Sequence, residues 1–415
     1  MFMTNKLKIF NDPIYGFITI PSTLIFDIIE HPMMQRLRRI QQMGLSHFVY
    51  PGAHHTRFHH VLGCMHLMQK AVRVLRTKQI DISEDEEEAL YLAILLHDLG
   101  HGPFSHALEG FFMDDISHEE ISLALMKRLN KTFDGRLDLA ITIFTDTYHR
   151  RFFYQLISSQ LDMDRLDYLK RDSFYTGVVE GSINSDRLIA MLNVKDDRLV
   201  IEEKAIYSIE KFLLSRRFMY WQVYLHKTGL IAEQLLAKTL QRARDLKNTG
   251  IEVPASRALG YFLTEEFMDD KLTERNLELY TDLDDYDVWS AMKSWQYHDD
   301  FVLSELSKSL VHRHLPKIEI AEQKFDRDYL KMVERQVMAL YKIDNTNLDY
   351  FFFKGKIKHR TYNKKYGPIN VLMNNGKVKE WLEMDSHFDT NSFKEPVTKY
   401  FISYPKRVLL ETKIK

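Results

Sequence analysis

Cysteine is almost absent from this chain: Cys64 is the only one among 415 residues. No intramolecular disulfide can form, and no cysteine-built zinc site is available. The count suits a reducing compartment. No apolar run approaches the ~20 residues that span a bilayer, and Met1 to Phe10 lacks the long apolar core of a secretory signal. A dominant charge is missing too. Lys plus Arg is 57 and Asp plus Glu is 58, so no global field draws the chain to nucleic acid or membrane. Internal repeats and low-complexity stretches are also lacking. The expectation is a cytoplasmic protein, and 45% hydrophobic residues are ample for a large core and two or three structural units.

Histidine is what the chain has in abundance. There are 18, and several crowd into His54–His66 and His97–His118. With one cysteine available, a transition metal here must be held by imidazole and carboxylate.

The order of elements reads as mainly α. Residues 7–20 predict two short strands around Asn11-Asp12-Pro13. A helix after Pro21-Ser22 carries Leu24, Ile25, Ile28 and Ile29 on one face, and Pro32 opens a second helix ending at Gly44. Residues 58–77 have helical apolar spacing. Ser83 with Glu86, and Ser117 with Glu120, have the capping-box spacing that starts a helix. Further helices are predicted over 137–170 and 204–247, so the chain up to about 250 reads as a helical bundle. From 251 to 415 the texture changes: 257–345 is mostly helical, and 369–384 predicts a hairpin turning at Asn375-Gly376. A smaller α+β carboxyl-terminal region is expected there.

His97-Asp98 follows the apolar run Leu-Ala-Ile-Leu-Leu at the end of a buried-looking helix. Two ionisable residues there are costly to bury without partners, and a cation satisfies both at once. His60 and Asp164 are natural further ligands, making a mixed N/O site suited to Mn, Fe, Co, Ni or Zn. A lone His or Asp at a helix end is usually a cap or a satisfied core group. The longer string His97-Asp-Leu-Gly-His101-Gly-Pro-Phe-Ser-His106 is not so easily dismissed.

Six ordered motifs then carry a resemblance. They are Asn11-Asp-Pro-Ile-Tyr-Gly, Gln35-Arg-Leu-Arg-Arg-Ile, Tyr50-Pro-Gly-Ala, Arg57-Phe-His-His60, His97 through His106, and Asp164-Arg-Leu-Asp-Tyr168-Leu-Lys-Arg-Asp172. Over roughly residues 8–320 the chain resembles the HD superfamily of metal-dependent phosphohydrolases, in its deoxynucleoside-triphosphate triphosphohydrolase branch. The resemblance implies an HD phosphohydrolase domain over 1–250, with its short amino-terminal hairpin, and the change of texture sets the α+β region at 251–415. It implies a metal held by His60, His97, Asp98 and Asp164; His59 stands where relatives often carry an acid and is left out.

A phosphoester hydrolase needs an activated water, neutralised phosphate charge and a proton for the leaving oxygen. The resemblance implies His118 as general acid polarised by Glu119, with His101 and His106 on phosphate. Arg57 has a fork suited to phosphate oxygens. Arg165, standing where a relative has lysine, keeps the charge. Tyr168 and Asp172 match sugar-lining positions, Gln42 fits as a 3′-hydroxyl partner, and Arg216 and Tyr224 align with nucleotide contacts. Lys8, Asn11, Gln35 and Arg38 are of the type that binds an activating nucleotide at a subunit interface, with Glu30 replacing an aspartate. The expected activity is hydrolysis of a dNTP, with Mg carried by the nucleotide, in a homo-oligomer (dimer or tetramer) without membrane attachment. The alternatives are another nucleotide or phosphomonoester substrate, or a nucleotide- or nucleic-acid-binding module whose catalysis has decayed.

Overall fold

The computed structural model describes residues 8–113, 115–264, 272–360, 362, 366–384 and 396–408. Its amino-terminal hairpin pairs Ile9–Asp12 with Gly16–Thr19, and Asp12 Oδ1 accepts from the amides of Ile14 and Tyr15 to close the turn. Helix Thr23–Glu30 is capped by Ser22 and buries Leu24, Ile25, Ile28 and Ile29, as its period predicts.

The helix opened by Pro32 is shorter than expected. It spans Pro32–Arg36, passes into a tight turn at Leu37–Arg39, and does not run on to Gly44. Tertiary contacts end it. Ile40 is extended, Gln41 bridges to Thr56, and the Gln41 amide donates to Asp285 Oδ2 at 2.9 Å. Arg36, fully buried, donates to the carbonyls of Leu283 (2.8 Å), Leu99 (3.2 Å) and His101 (2.7 Å).

Helices Arg57–Thr77, Glu84–Leu96 and Met163–Thr176 form the centre of the bundle. The first and third approach so closely at Gly63 that a Cβ there would lie 2.0 Å from Asp167 Oδ1. Both capping boxes form, Ser83 with Glu86 and Ser117 with Glu120. The long helix predicted over 137–170 is instead three, Asp138–Phe144, Arg151–Ile157 and Met163–Thr176. The stretch predicted over 204–247 is Ile206–Met219, one π-helical turn at Tyr220–Tyr224, and Lys227–Asn248.

Between those helices the chain makes an antiparallel pair, Leu192–Lys195 with Arg198–Glu202, which the helical reading missed. Arg198–Glu202 pairs in parallel with Asn370–Leu372, itself the first strand of the hairpin that turns at Gly376 (φ +80°). One sheet therefore joins residues on both sides of position 250. The other carboxyl-terminal sheet orders Lys317–Ala321, Val397–Tyr404 and Phe353–His359, all antiparallel. Helices Arg257–Phe262, Glu274–Asp282, Asp285–Trp295 and Phe301–Val311 lie before it in the chain. The fold is mainly α with a smaller α+β region. Among the described residues no helix is long and apolar enough to cross a membrane.

Candidate active site and metal centre

His60 sits one turn into helix Arg57–Thr77, and Asp164 on the first turn of Met163–Thr176. His97 caps the end of Glu84–Leu96, with Asp98 in the turn that follows. Three helices packed on one another thus bring the four side chains together. His60 Nε2 lies 3.1 Å from Asp164 Oδ1 and 3.5 Å from Asp98 Oδ2. His97 Nε2 lies 3.3 Å from Asp98 Oδ1 and 3.7 Å from Asp164 Oδ1.

The far side of each imidazole is already committed. His60 Nδ1 donates to Asp167 Oδ2 at 2.8 Å, and His97 Nδ1 donates to the Ile94 carbonyl at 2.6 Å. A carbonyl can only accept, so the His97 proton is on Nδ1 and the Nε2 lone pair faces the carboxylates. That Nε2 is buried without a hydrogen-bond partner. Two imidazole lone pairs converging on two carboxylates fit a divalent cation. Cys64 Sγ is 3.5 Å from His60 Nδ1, but burial pushes its thiol well up, so it remains a neutral neighbour.

Burial opposes ionisation of Asp98 and Asp164, but facing imidazoles, with Arg57 at Asp98, hold both carboxyls well below the usual range. Arg57 donates to Asp98 Oδ2 and to Ser105 Oγ. His101 Nε2 lies 3.4 Å from Asp98 Oδ1. Burial, with Arg57 close by, lowers His101 well below the histidine norm, so it is neutral at pH 7.

His118 stacks on His101 with ring centroids 4.0 Å apart and 17° between planes. The acid on its Nδ1 is Glu109, at 2.6 Å, where the sequence pointed to Glu119. Glu109 arrives from the loop before the helix and makes the hydrogen bond, while Glu119 adds only its charge to His118. Glu119 is exposed and lines the cavity mouth. Burial lowers the His118 pKa, but the Glu109 hydrogen bond and the charge of Asp98 outweigh it and raise it overall. His106 lies in the short turn Ser105–Leu108, and its side chain is outside the described residues. Gly100 permits the close approach here: a Cβ on it would lie 2.2 Å from the His118 carbonyl.

A cavity of about 490 Å³ opens from this centre. It is lined by Gln42, Arg57, Arg165, Tyr168, Asp172 and Tyr224 among others, six of the seven residues expected to touch substrate. Asp172 is held by His55 Nε2 at 2.7 Å and by the Tyr224 hydroxyl at 2.8 Å. Arg165 donates to the Ser159 carbonyl and Asp162, and stacks over Tyr366 at 4.3 Å. Arg216 does not line the cavity. It is buried behind the wall, bonded to Gln160 Oε1 at 3.3 Å.

The amino-terminal cluster lies apart from this cavity. Gln35 donates to the Ile29 carbonyl, Arg38 donates to Gln35 Oε1 at 2.8 Å and stacks on Phe58 at 3.7 Å, and Lys8 sits over Phe26. Asn11 and Glu30 are exposed beside them, and the Glu30 charge acts on the Arg38 guanidinium.

Sequence reasoning missed Asp167, Glu109, His55 and Arg36. Asp167 had a signal, its i+3 spacing from Asp164 on one helix; His55 and Arg36 act across long chain separations and Glu109 folds back from a loop nine residues before His118, and none of these had one.

A helical bundle that gathers His60, His97, Asp98 and Asp164 beside a cavity is the architecture of HD-type metal-dependent phosphohydrolases. The comparisons agree: the HD domain family matches residues 57–172 and the HD-associated region residues 183–255. The chain belongs to the HD-domain phosphohydrolase superfamily. It is 31% identical to the uncharacterized protein YwfO of Bacillus subtilis, over 97% of this chain and 93% of that one. A crystal structure of a phosphohydrolase from Bacteroides thetaiotaomicron superimposes with TM-score 0.92 at 48% identity, covering 97% of this chain and all (100%) of that one. The deoxynucleoside triphosphate triphosphohydrolase SAMHD1 homolog of Dictyostelium discoideum is 34% identical over 57% of this chain. This chain spans 49% of that relative.

Proposed function

We propose that the protein hydrolyses a dNTP to the deoxynucleoside and inorganic triphosphate. The observation that carries this reading is one cavity in which the candidate metal centre shares its walls with Tyr168, Asp172, Tyr224 and Gln42. The SAMHD1-like relatives support it by their named activity.

His60, His97, Asp98 and Asp164 would hold a divalent metal (Mn, Fe, Co, Ni or Zn). When bound, it supplies positive charge for the phosphate oxygens and lowers the pKa of water. Arg57 and His101 face the triphosphate, with His106 assigned to the same task from its position in the motif. Arg165 adds charge further along the cavity. Water, giving up a proton to solvent, attacks the α-phosphorus, the bond from phosphorus to the 5′ oxygen breaks, and His118 passes its proton to that oxygen. Glu109 keeps His118 protonated; Glu119 stands at the mouth. Tyr168 packs under the deoxyribose where a 2′-hydroxyl would collide, while Asp172 accepts from the 3′-hydroxyl and the Gln42 amide donates to its oxygen. Arg216 braces the wall. Mg enters with the nucleotide.

The cluster of Lys8, Asn11, Glu30, Gln35 and Arg38 is proposed as a second, activating nucleotide site. The exposed Arg38 guanidinium stacked on Phe58 favours it. Exposed Phe17 (66%), Phe174 (58%) and Val179 (77%) favour a homo-oligomer, dimer or tetramer. The single buried cysteine suits the cytoplasm.

The test incubates metal-reconstituted protein with each dNTP and NTP and resolves the products. Triphosphate with deoxynucleoside is expected. Monophosphate with pyrophosphate, or turnover of a phosphomonoester alone, would replace this reading with another HD phosphohydrolase activity. Nucleotide binding without turnover would make it a binding module.

A further inference from the structure

One carboxyl in the cavity wall has no part in the reaction above. Glu233 stands on the second turn of helix Lys227–Asn248 and lines the cavity. It is half-buried where it faces the cavity, and burial pushes it up to about 7; among the described residues no donor is paired with it. A carboxyl so placed is costly unless something donates to it.

Two of the chain segments that face the sugar pocket lead to this group. From Gln42 the chain continues through Met43 to Gly44, all lining the cavity, and a Cβ on Gly44 would lie 3.8 Å from Glu233 Oε1. From Tyr224 it continues through Leu225, also in the lining, into the helix that carries Glu233. Phosphate at the metal and sugar at Gln42 and Tyr224 leave the base to lie along Met43 and Leu225, with Glu233 at its edge.

We infer that Glu233 reads the base of the nucleotide, and that the base it selects is guanine. The inference rests on the dNTP reading and names the substrate within it. A carboxylate only accepts. Guanine presents two adjacent donors, the ring N–H and the exocyclic amine. Adenine and cytosine present one donor beside an acceptor, and thymine a donor between two acceptors. Two parallel bonds from guanine satisfy both oxygens and offset their desolvation.

The test measures kcat/KM for the four dNTPs with GTP fixed in every reaction, in the wild type, Glu233→Gln and Glu233→Asp. The wild type should favour dGTP over dTTP by roughly 5- to 150-fold, the range of one bidentate contact. Glu233→Gln should lose that preference and move towards dATP, because a carboxamide pairs one donor with one acceptor. Glu233→Asp should keep the direction with a smaller ratio. An unchanged profile in Glu233→Gln, an equal fall for all four, or no dGTP preference in the wild type would overturn the inference. Wild-type protein that hydrolyses other phosphoesters but no dNTP would show that the dNTP reading failed, and this inference with it.

Discussion

Asp167 holds His60 from behind, its Oδ2 2.8 Å from the imidazole Nδ1, while Arg171 grips the same carboxylate and also Asp12. Burial would push Asp167 up, but the Arg171 charge and the His60 hydrogen bond hold it at about 2. The hairpin, through Asp12, is thereby tied to the ring that faces the metal. Asp167→Asn should weaken metal affinity by roughly 10- to 100-fold, the usual cost of losing such a support. Metal content after dialysis against graded chelator measures it, and wild-type retention would show that the ring needs no carboxylate.

Asp98 faces His60, His97, His101 and Arg57 at once. Removing its charge takes away one of the four proposed ligands and leaves the buried Arg57 without its partner. Asp98→Ala should abolish both metal retention and turnover while the helical circular dichroism persists. Elemental analysis beside a product assay gives the answer.

His118 has a raised pKa, so its imidazolium persists to higher pH than a free histidine. As proton donor it is active below that pKa, and kcat should fall as pH rises through it. Glu109→Gln removes the acceptor charge on Nδ1, lowers the pKa, and should move the falling limb to lower pH. Glu119→Gln, at an exposed position, should move it less. Parallel kcat–pH profiles decide between the two acids.

Arg36 satisfies three carbonyls around the His97–His101 turn and lies within 5.0 Å of the Tyr280 ring. Arg36→Met would leave those carbonyls buried without donors. The expected loss is roughly 3–5 kcal/mol of stability, read from the urea midpoint, with turnover falling because the turn carries Asp98 and His101.

Glu233 also predicts a pH dependence of stability. Its folded pKa of about 7 lies above the ordinary value of 4.5. The folded chain therefore binds more protons between those values, and stability declines as pH rises through that window. Glu233→Gln should flatten the decline, seen as a smaller fall in Tm from pH 5 to pH 8.

Local signals were legible where the physics is local. Ser83–Glu86 and Ser117–Glu120 cap helices because both partners lie within one turn. The Asn375-Gly376 hairpin forms because Gly376 takes a positive φ. Reading failed where distant groups intervene. The helix after Pro32 stops early because Asp285 claims the Gln41 amide, and the strands at 192–202 are completed by residues 370–372. Glu109 replaces Glu119 on His118 because spacing along a helix does not say which loop folds back over it.

The amino-acid order alone determined the family and pointed to His60, His97, Asp98 and Asp164, because motif chemistry and helical periodicity are written in neighbouring residues. Only the folded chain decided which second partner sits behind each imidazole and which carboxyl is left unpaired in the cavity. The pairing of Asp167 with His60 depends on how close helix 57–77 comes to helix 163–176 at Gly63, and Glu233 is left unpaired by how helix 227–248 packs on the cavity.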